Sequence, residues 1–165
     1  MSTFVNKMLT ATLCSLALTA TTQLFALDNT SNADHAVYAP KDIKWMTGPD
    51  ALPKGTEVAI LEGDPSKAGP FTLRLKFPAN YRIPPHWHPA IEHVTVISGE
   101  FYIGMGDKLD EKTAIAMPTG SFAFMAPEMH HYAFTHDPAI VQLHGIGPWG
   151  ITYINPQDDP RNKSK

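Results

Sequence analysis

Pro84-Pro85-His86-Trp87-His88-Pro89-Ala90-Ile91-Glu92-His93-Val94-Thr95-Val96-Ile97-Ser98-Gly99 is the stretch on which the reading of this chain turns. Two histidines and a carboxylate stand at positions 86, 88 and 92, all of one parity. On an extended chain, residues of one parity share a face. His86, His88 and Glu92 are therefore expected to converge, provided the segment stays extended past Pro89. Neutral imidazoles and a carboxylate at one point are what a divalent transition metal requires. The competing reading, surface histidines ahead of a strand, suits a single His better than this spacing with a strand and a Gly stop behind it.

Working outward, 165 residues predict one domain. Hydrophobic residues make up 43% against 18% charged, enough for a core, and 11 Gly with 15 Pro favour short strands and turns over a helical bundle. A net charge of −3, without a basic run, argues against nucleic-acid binding.

Residues 1–26 read as a secretory signal peptide. Lys7 supplies the charged start, residues 9–20 are free of charge, and Ala26 is a small exit residue. The apolar run is too short for a membrane span, although a buried helix or retained anchor would share its composition. Ala11-Thr12-Leu13 before Cys14 is a poor lipoprotein site, so no stable membrane anchor is expected after cleavage. Cleavage would remove Cys14, the only cysteine, and Lys7, leaving twelve basic against sixteen acidic residues and a net of −4. The mature protein is expected in the periplasm or secreted, with no disulfide and no thiol nucleophile.

Residues 27–56 read as a leader and edge segment, polar to Ala39, with an edge strand or turn at Asp42 to Trp45. Residues 57–155 carry strands at regular spacing, and 156–165 form a polar tail. Strands are expected at Glu57 to Leu61, Phe71 to Phe77, Glu92 to Ile97, Phe101 to Gly104, Ser121 to Met125, His131 to Thr135 and Ile140 to Gly145, with a short addition at Ile151 to Ile154. The clearest is Phe71 to Phe77, where Phe71, Leu73, Leu75 and Phe77 alternate with Thr72, Arg74 and Lys76. Ser98-Gly99-Glu100 looks like a hairpin turn. Asp107 to Ala114 has mild helical character, competing with a solvated loop. The pattern is that of a sandwich or barrel.

In this context the opening stretch resembles a cupin. The first motif of that superfamily is Gly, five residues, His-x-His, three or four residues, Glu, six residues, Gly. His86-Trp87-His88, Glu92 and Gly99 fit it, with Asn80 at the leading glycine; Asn tolerates the left-handed conformation. The second motif is Gly, five residues, Pro-x-Gly-x-x-His, three residues, Asn. Gly120 and His131 fit it; Ala126, Glu128 and Thr135 depart from it, with Pro127 one place late. The resemblance spans about residues 57 to 146. It implies an all-β double-stranded β-helix (a jelly-roll barrel, RmlC-like). It also implies one metal ion, Fe, Mn, Ni or Zn, held inside by His86, His88, Glu92 and His131, and a possible homodimer.

His130 is the alternative to His131 if the turn is shifted. His93 has the wrong parity and is expected outside or hydrogen bonded. His35 and His136 read as surface residues. Gln142 and His144 share parity and orient a ligand only if that face is inward. Tyr81, Phe122, Phe124 and Met125 read as core or pocket wall, and Trp149, in Gly147-Pro148-Trp149-Gly150, as the packing of a closing turn. Three functions compete: a metal-dependent enzyme on a small organic substrate (oxygenase, isomerase or lyase type), a metal-bound binding or sensing module, and a metal-stabilised structural domain. Glu128 and His144 are the candidate proton-transferring groups.

Overall fold

The structure, a computed structural model, describes residues 35–162. The expected signal at 1–26 lies outside the described residues. From Val37 onward the chain forms one compact unit.

A 3-10 turn at Pro40–Asp42 precedes β1 (Met46–Thr47) and β2 (Glu57–Glu62). Then come β3 (Gly69–Phe77), β4 (Arg82–Trp87), β5 (Glu92–Ser98), β6 (Glu100–Met105) and β7 (Ile115–Pro118). The series ends with β8 (Phe122–Met125), β9 (His131–Phe134), β10 (Ala139–Gly147) and β11 (Thr152–Tyr153), followed by two further 3-10 turns.

The strands make two antiparallel sheets, one in the order β1-β2-β3-β10-β5-β8 and the other β11-β4-β9-β6-β7. Among the described residues no strand ladder joins them, so the fold is an all-β, cupin-like sandwich and not one closed barrel.

The alternation read from β3 sets the core. Phe71, Leu73, Leu75 and Phe77 point inward, as do Ala139, Val141 and Leu143 of β10 and Val94 and Val96 of β5. Phe77 stacks on Phe101 of the other sheet with centroids 5.4 Å apart, which ties the layers together. Each of the larger of these side chains contributes about 1.5–3 kcal/mol through burial.

Several local expectations change. Asp42 to Trp45 does not form a strand; the edge strand is β1, just beyond it. Ser98-Gly99-Glu100 is not a hairpin. β5 and β6 belong to different sheets, and Gly99, at φ 75°, carries the chain across beside the backbone of Pro138 and Ala139. Asp107 to Ala114, by contrast, forms bends and turns, in line with the solvated-loop reading. β7 was not expected, because three of its four residues are exposed and give no alternation.

Candidate metal centre

His86, His88 and Glu92 do converge, but not along one extended strand. β4 ends at Trp87, the chain bends, and β5 begins at Glu92 in the opposite sheet. His86 therefore comes from one sheet, Glu92 from the other, and His88 from the crossing between them. His131 is the register partner of His86 across β4 and β9, and their rings lie 4.2 Å apart. The same-parity residues thus do come together, through the crossing of the chain between sheets and not through one shared strand face.

All four side chains are buried. His86, His88 and His131 each offer a ring nitrogen within 4.8 Å of the other two. One Glu92 carboxylate oxygen lies 3.4 Å from His88 Nε2 and 3.2 Å from His131 Nε2. The outer nitrogens are tied to the backbone: His86 Nδ1 to Pro84 O at 2.7 Å, His88 Nδ1 to Gly150 O at 2.6 Å, and His131 Nδ1 to Met129 O at 2.9 Å. A carbonyl oxygen can only accept, so each Nδ1 carries the proton and each Nε2 is left as the ligating atom. His88 Nε2 is buried without any hydrogen-bond partner among the described residues. A buried, unsatisfied lone pair is costly, and a metal ion at this point would satisfy it. The donor set fits a divalent transition metal.

Electrostatics agree. Burial, reinforced by His131 and His88, pushes the His86 imidazole down to about 3, which keeps it neutral and able to ligate. Burial alone would raise the Glu92 carboxyl. The neighbouring rings of His88 and His131, where they are protonated in the metal-free protein, outweigh it and hold the group below the usual carboxylate range.

His86, His88 and Glu92 also line a cavity of about 220 Å3. A smaller hollow of about 30 Å3 lies toward the core, bordered by His86, Glu92 and His131. The larger cavity is walled by Leu52, Leu73, Leu143, Trp149 and Ile151 among others. Tyr153 donates to Ala51 O at 2.8 Å and Tyr81 donates to Pro53 O, which pins residues 51–53 of the segment read as leader and edge. Burial pushes both phenols up, Tyr81 to about 12, so both remain donors at neutral pH.

The other candidates fall elsewhere. His130 turns outward and meets Asp107 at 2.5 Å, which leaves His131 as the histidine in the cluster. The expectation that Glu128 or His144 serves the site is corrected. Glu128 is exposed, and its contribution is a backbone N–H given to His88 O at 2.8 Å. His144 lies on the outer face of its sheet, stacked on His93 at 4.6 Å, and Gln142 binds Arg74 at 3.0 Å. That face is outward because Val141, Leu143 and Gly145 take the inward positions of β10. Phe122 and Phe124 are exposed, whereas Met125 and Tyr81 are core. Thr135, at the second motif's Asn position, is buried and gives its hydroxyl to Pro78 O at 2.8 Å. Asn80 and Glu128 hold φ of 57° and 62° at the two motif glycine positions that this chain fills with another residue.

A family model for the ChrR cupin-like domain matches residues 33–148. The chain belongs to that cupin family. No curated protein matches it significantly. Among solved structures, this cupin is similar to the polyketide cyclase RemF from Streptomyces resistomycificus, at 15% identity and TM-score 0.64, over 76% of this chain and 89% of that one. It is similar to an RmlC-like cupin from Ralstonia eutropha at 18% identity and TM-score 0.56, over 75% and 74%. The DMSP lyase DddQ from Ruegeria pomeroyi matches at 18% identity and TM-score 0.55, over 70% and 62%. At these identities the likeness shows the shared fold.

Sequence reasoning did not find the role of Trp149 at this cupin's cluster. Its indole stacks on His88 with centroids 4.2 Å apart, and the neighbouring Gly150 carbonyl holds His88 Nδ1. The run Gly147-Pro148-Trp149-Gly150, whose Gly147-Pro148 bond is cis, was the available signal for a built turn.

Proposed function

We propose that this chain is an exported, metal-dependent cupin enzyme that binds one divalent transition metal through His86, His88, His131 and Glu92 and acts on a small organic molecule in the adjoining cavity. The carrying observation is that three buried imidazoles each commit Nδ1 to a backbone carbonyl and turn Nε2 toward one another. Iron, manganese, nickel and zinc all suit the donors. When bound, the ion supplies Lewis acidity toward a ligand oxygen or, if iron, a site for dioxygen. The protein's own part is to fix the ligand tautomers, hold Glu92 ionised and exclude water with an apolar wall. Oxygenase, isomerase and lyase chemistry are the reaction types in view. Export to the periplasm or beyond rests on the residue pattern of 1–26, and pairing into a homodimer rests on the resemblance.

A second reading is a ligand-binding or sensing module. It is favoured by one feature: neither Glu128 nor His144 lines the cavity, which among the described residues leaves only the proposed metal ligands as titratable carboxylate or imidazole groups there. The test is metal analysis of protein purified from its own host, with a search for co-purified small molecules. One metal per chain, lost in His86→Ala together with turnover of a candidate substrate, supports the enzyme. An unchanged, tightly retained ligand supports the binder. Full metal occupancy in His88→Ala overturns both.

A further inference from the structure

The cavity beside the cluster also limits what can occupy it. Its wall comes from Ala51, Leu52, Leu73, Leu143, Trp149 and Ile151, with further apolar residues around them. Several polar atoms along that wall are already engaged. Ala51 O accepts from Tyr153 at 2.8 Å, Gly150 O from His88 at 2.6 Å, Ile151 O from Arg161 at 3.2 Å, and Pro65 O from the Trp149 backbone at 2.7 Å. The Trp149 indole nitrogen has no hydrogen-bond partner among the described residues, but it is fully buried and presents no accessible surface to the cavity. Arg161, the one cationic side chain at the wall among the described residues, is held by Asp159 at 2.7 Å and 2.8 Å. Among the described residues, polar ligand chemistry is thus concentrated at the cluster end.

We propose, resting on the metal-site reading above, that the occupant is a compact, mainly apolar molecule whose oxygen-bearing head faces the cluster and whose hydrocarbon or aromatic body fills the rest. Sugars, polyols and zwitterions are excluded as good ligands, because their remaining polar groups would be buried without partners, which costs about 1–3 kcal/mol each. The volume, below the roughly 300–1,000 Å3 of drug-sized sites, limits the body to about one ring or a short chain.

Hydroxamates test this, because they keep one oxygen-donor head while the body changes. Full-length protein loaded with Zn(II) is titrated calorimetrically with acetohydroxamate, benzohydroxamate and gluconohydroxamate, each affinity being corrected for its affinity for free zinc. The expected result is that benzohydroxamate binds roughly tenfold or more tightly than acetohydroxamate, through burial of its ring, and that gluconohydroxamate gains nothing. Ile151→Asn and Leu52→Gln, both at partly buried wall positions, should keep acetohydroxamate binding and lose the benzohydroxamate advantage. Equal binding of the acetyl and benzoyl heads overturns the apolar-body proposal and leaves the metal site standing. Tightest binding by gluconohydroxamate does the same, as does a benzohydroxamate advantage that survives both wall variants. Failure of zinc to bind overturns the metal reading itself, and the substrate class falls with it.

Discussion

His88 lies face to face with Trp149, ring centroids 4.2 Å apart and planes 18° from parallel, while its Nδ1 donates to the carbonyl of Gly150 at 2.6 Å. Two consecutive residues of the loop after β10 thus orient one imidazole of a cluster that otherwise depends on β4, β5 and β9. The loop is anchored in turn: the Trp149 backbone donates to Pro65 O at 2.7 Å, and its ring sits 5.5 Å from Phe71. Trp149 is therefore a positioning residue for His88. Groups that orient ligating histidines typically affect metal affinity by about 10–100-fold. Trp149→Ala should weaken zinc binding about tenfold, and Trp149→Phe, which keeps a stacking ring, by only a few-fold. Zinc competition with a chromophoric chelator, run on variants that retain the wild-type β circular dichroism, separates this from a loss of fold. Equal affinity in all three proteins would remove the positioning role.

The adjacent histidines 130 and 131 provide a second contrast. His131 is 2% exposed and shares the cluster, whereas His130 faces Asp107 at the surface. Removing His131 deletes one of three convergent imidazoles and leaves Glu92 with one fewer partner. His131→Ala should reduce metal affinity by at least about 100-fold. His130→Ala loses only an exposed pair, which is worth about 0–1 kcal/mol. It should keep metal stoichiometry at the wild-type value, measured by elemental analysis after dialysis. Wild-type metal content in His131→Ala would sink the ligand assignment.

The particulars of these sites explain what was legible in the chain. The alternation of Phe71 to Phe77 survives because that strand is buried on one face, and such a period can be read directly. The cluster positions were legible because their spacing and residue types are unusual. Gly99 misled because a Gly turn has the same local sequence whether the chain pairs with itself or crosses to another sheet. The difference lies in the distant backbone of Pro138 and Ala139. β7 was missed because an exposed edge strand ending in Pro carries no burial pattern. The face of His144 could not be fixed from its own strand, since parity gives two sides and only packing says which is inward. Trp149 meets His88 across about sixty residues of chain, a pairing that no local pattern encodes.

Glu128 offers a stability prediction that also bears on the corrected catalytic assignment. Its φ of 62° is left-handed, which costs a side-chain-bearing residue roughly 1–2 kcal/mol. Its N–H to His88 O is a backbone bond that glycine retains. Glu128→Gly should therefore stabilise the protein by about 1 kcal/mol, after the entropy that glycine adds to the unfolded chain is subtracted. Asn80, at φ 57°, belongs to a residue type that tolerates this region, so Asn80→Gly should be near neutral. Denaturant titration of the two variants measures the difference. Metal affinity should be unchanged in Glu128→Gly, because its carboxylate stands outside the cluster. A loss of metal with Glu128→Gly would return that carboxylate to the site.

Acid should destabilise the metal-free protein in a window set by His86 and Glu92. The unfolded chain protonates His86 near 6.5, whereas burial beside His131 and His88 delays this in the fold to about 3. Between those values the unfolded state binds more protons, so stability falls as pH drops. The full displacement corresponds to about 5 kcal/mol, an upper bound for one buried imidazole. Glu92 adds to it with the same sign. Its folded value lies below the ordinary 4.5, so its stabilising effect is present above that pH and is lost as pH falls further. Metal binding should sharpen the dependence, since a metal that binds Nε2 competes with protons there and stabilises only the folded state. Chelator-treated protein should therefore show a lower Tm than zinc-loaded protein at pH 7, and the gap should narrow toward pH 5 as zinc is displaced. In His86→Leu, a neutral filler of the same pocket, the metal-free protein should lose most of its pH dependence between 6.5 and 4.5. Thermal melts across that range, with and without zinc, decide the matter. A wild-type slope in His86→Leu would show that the acid sensitivity originates in other residues.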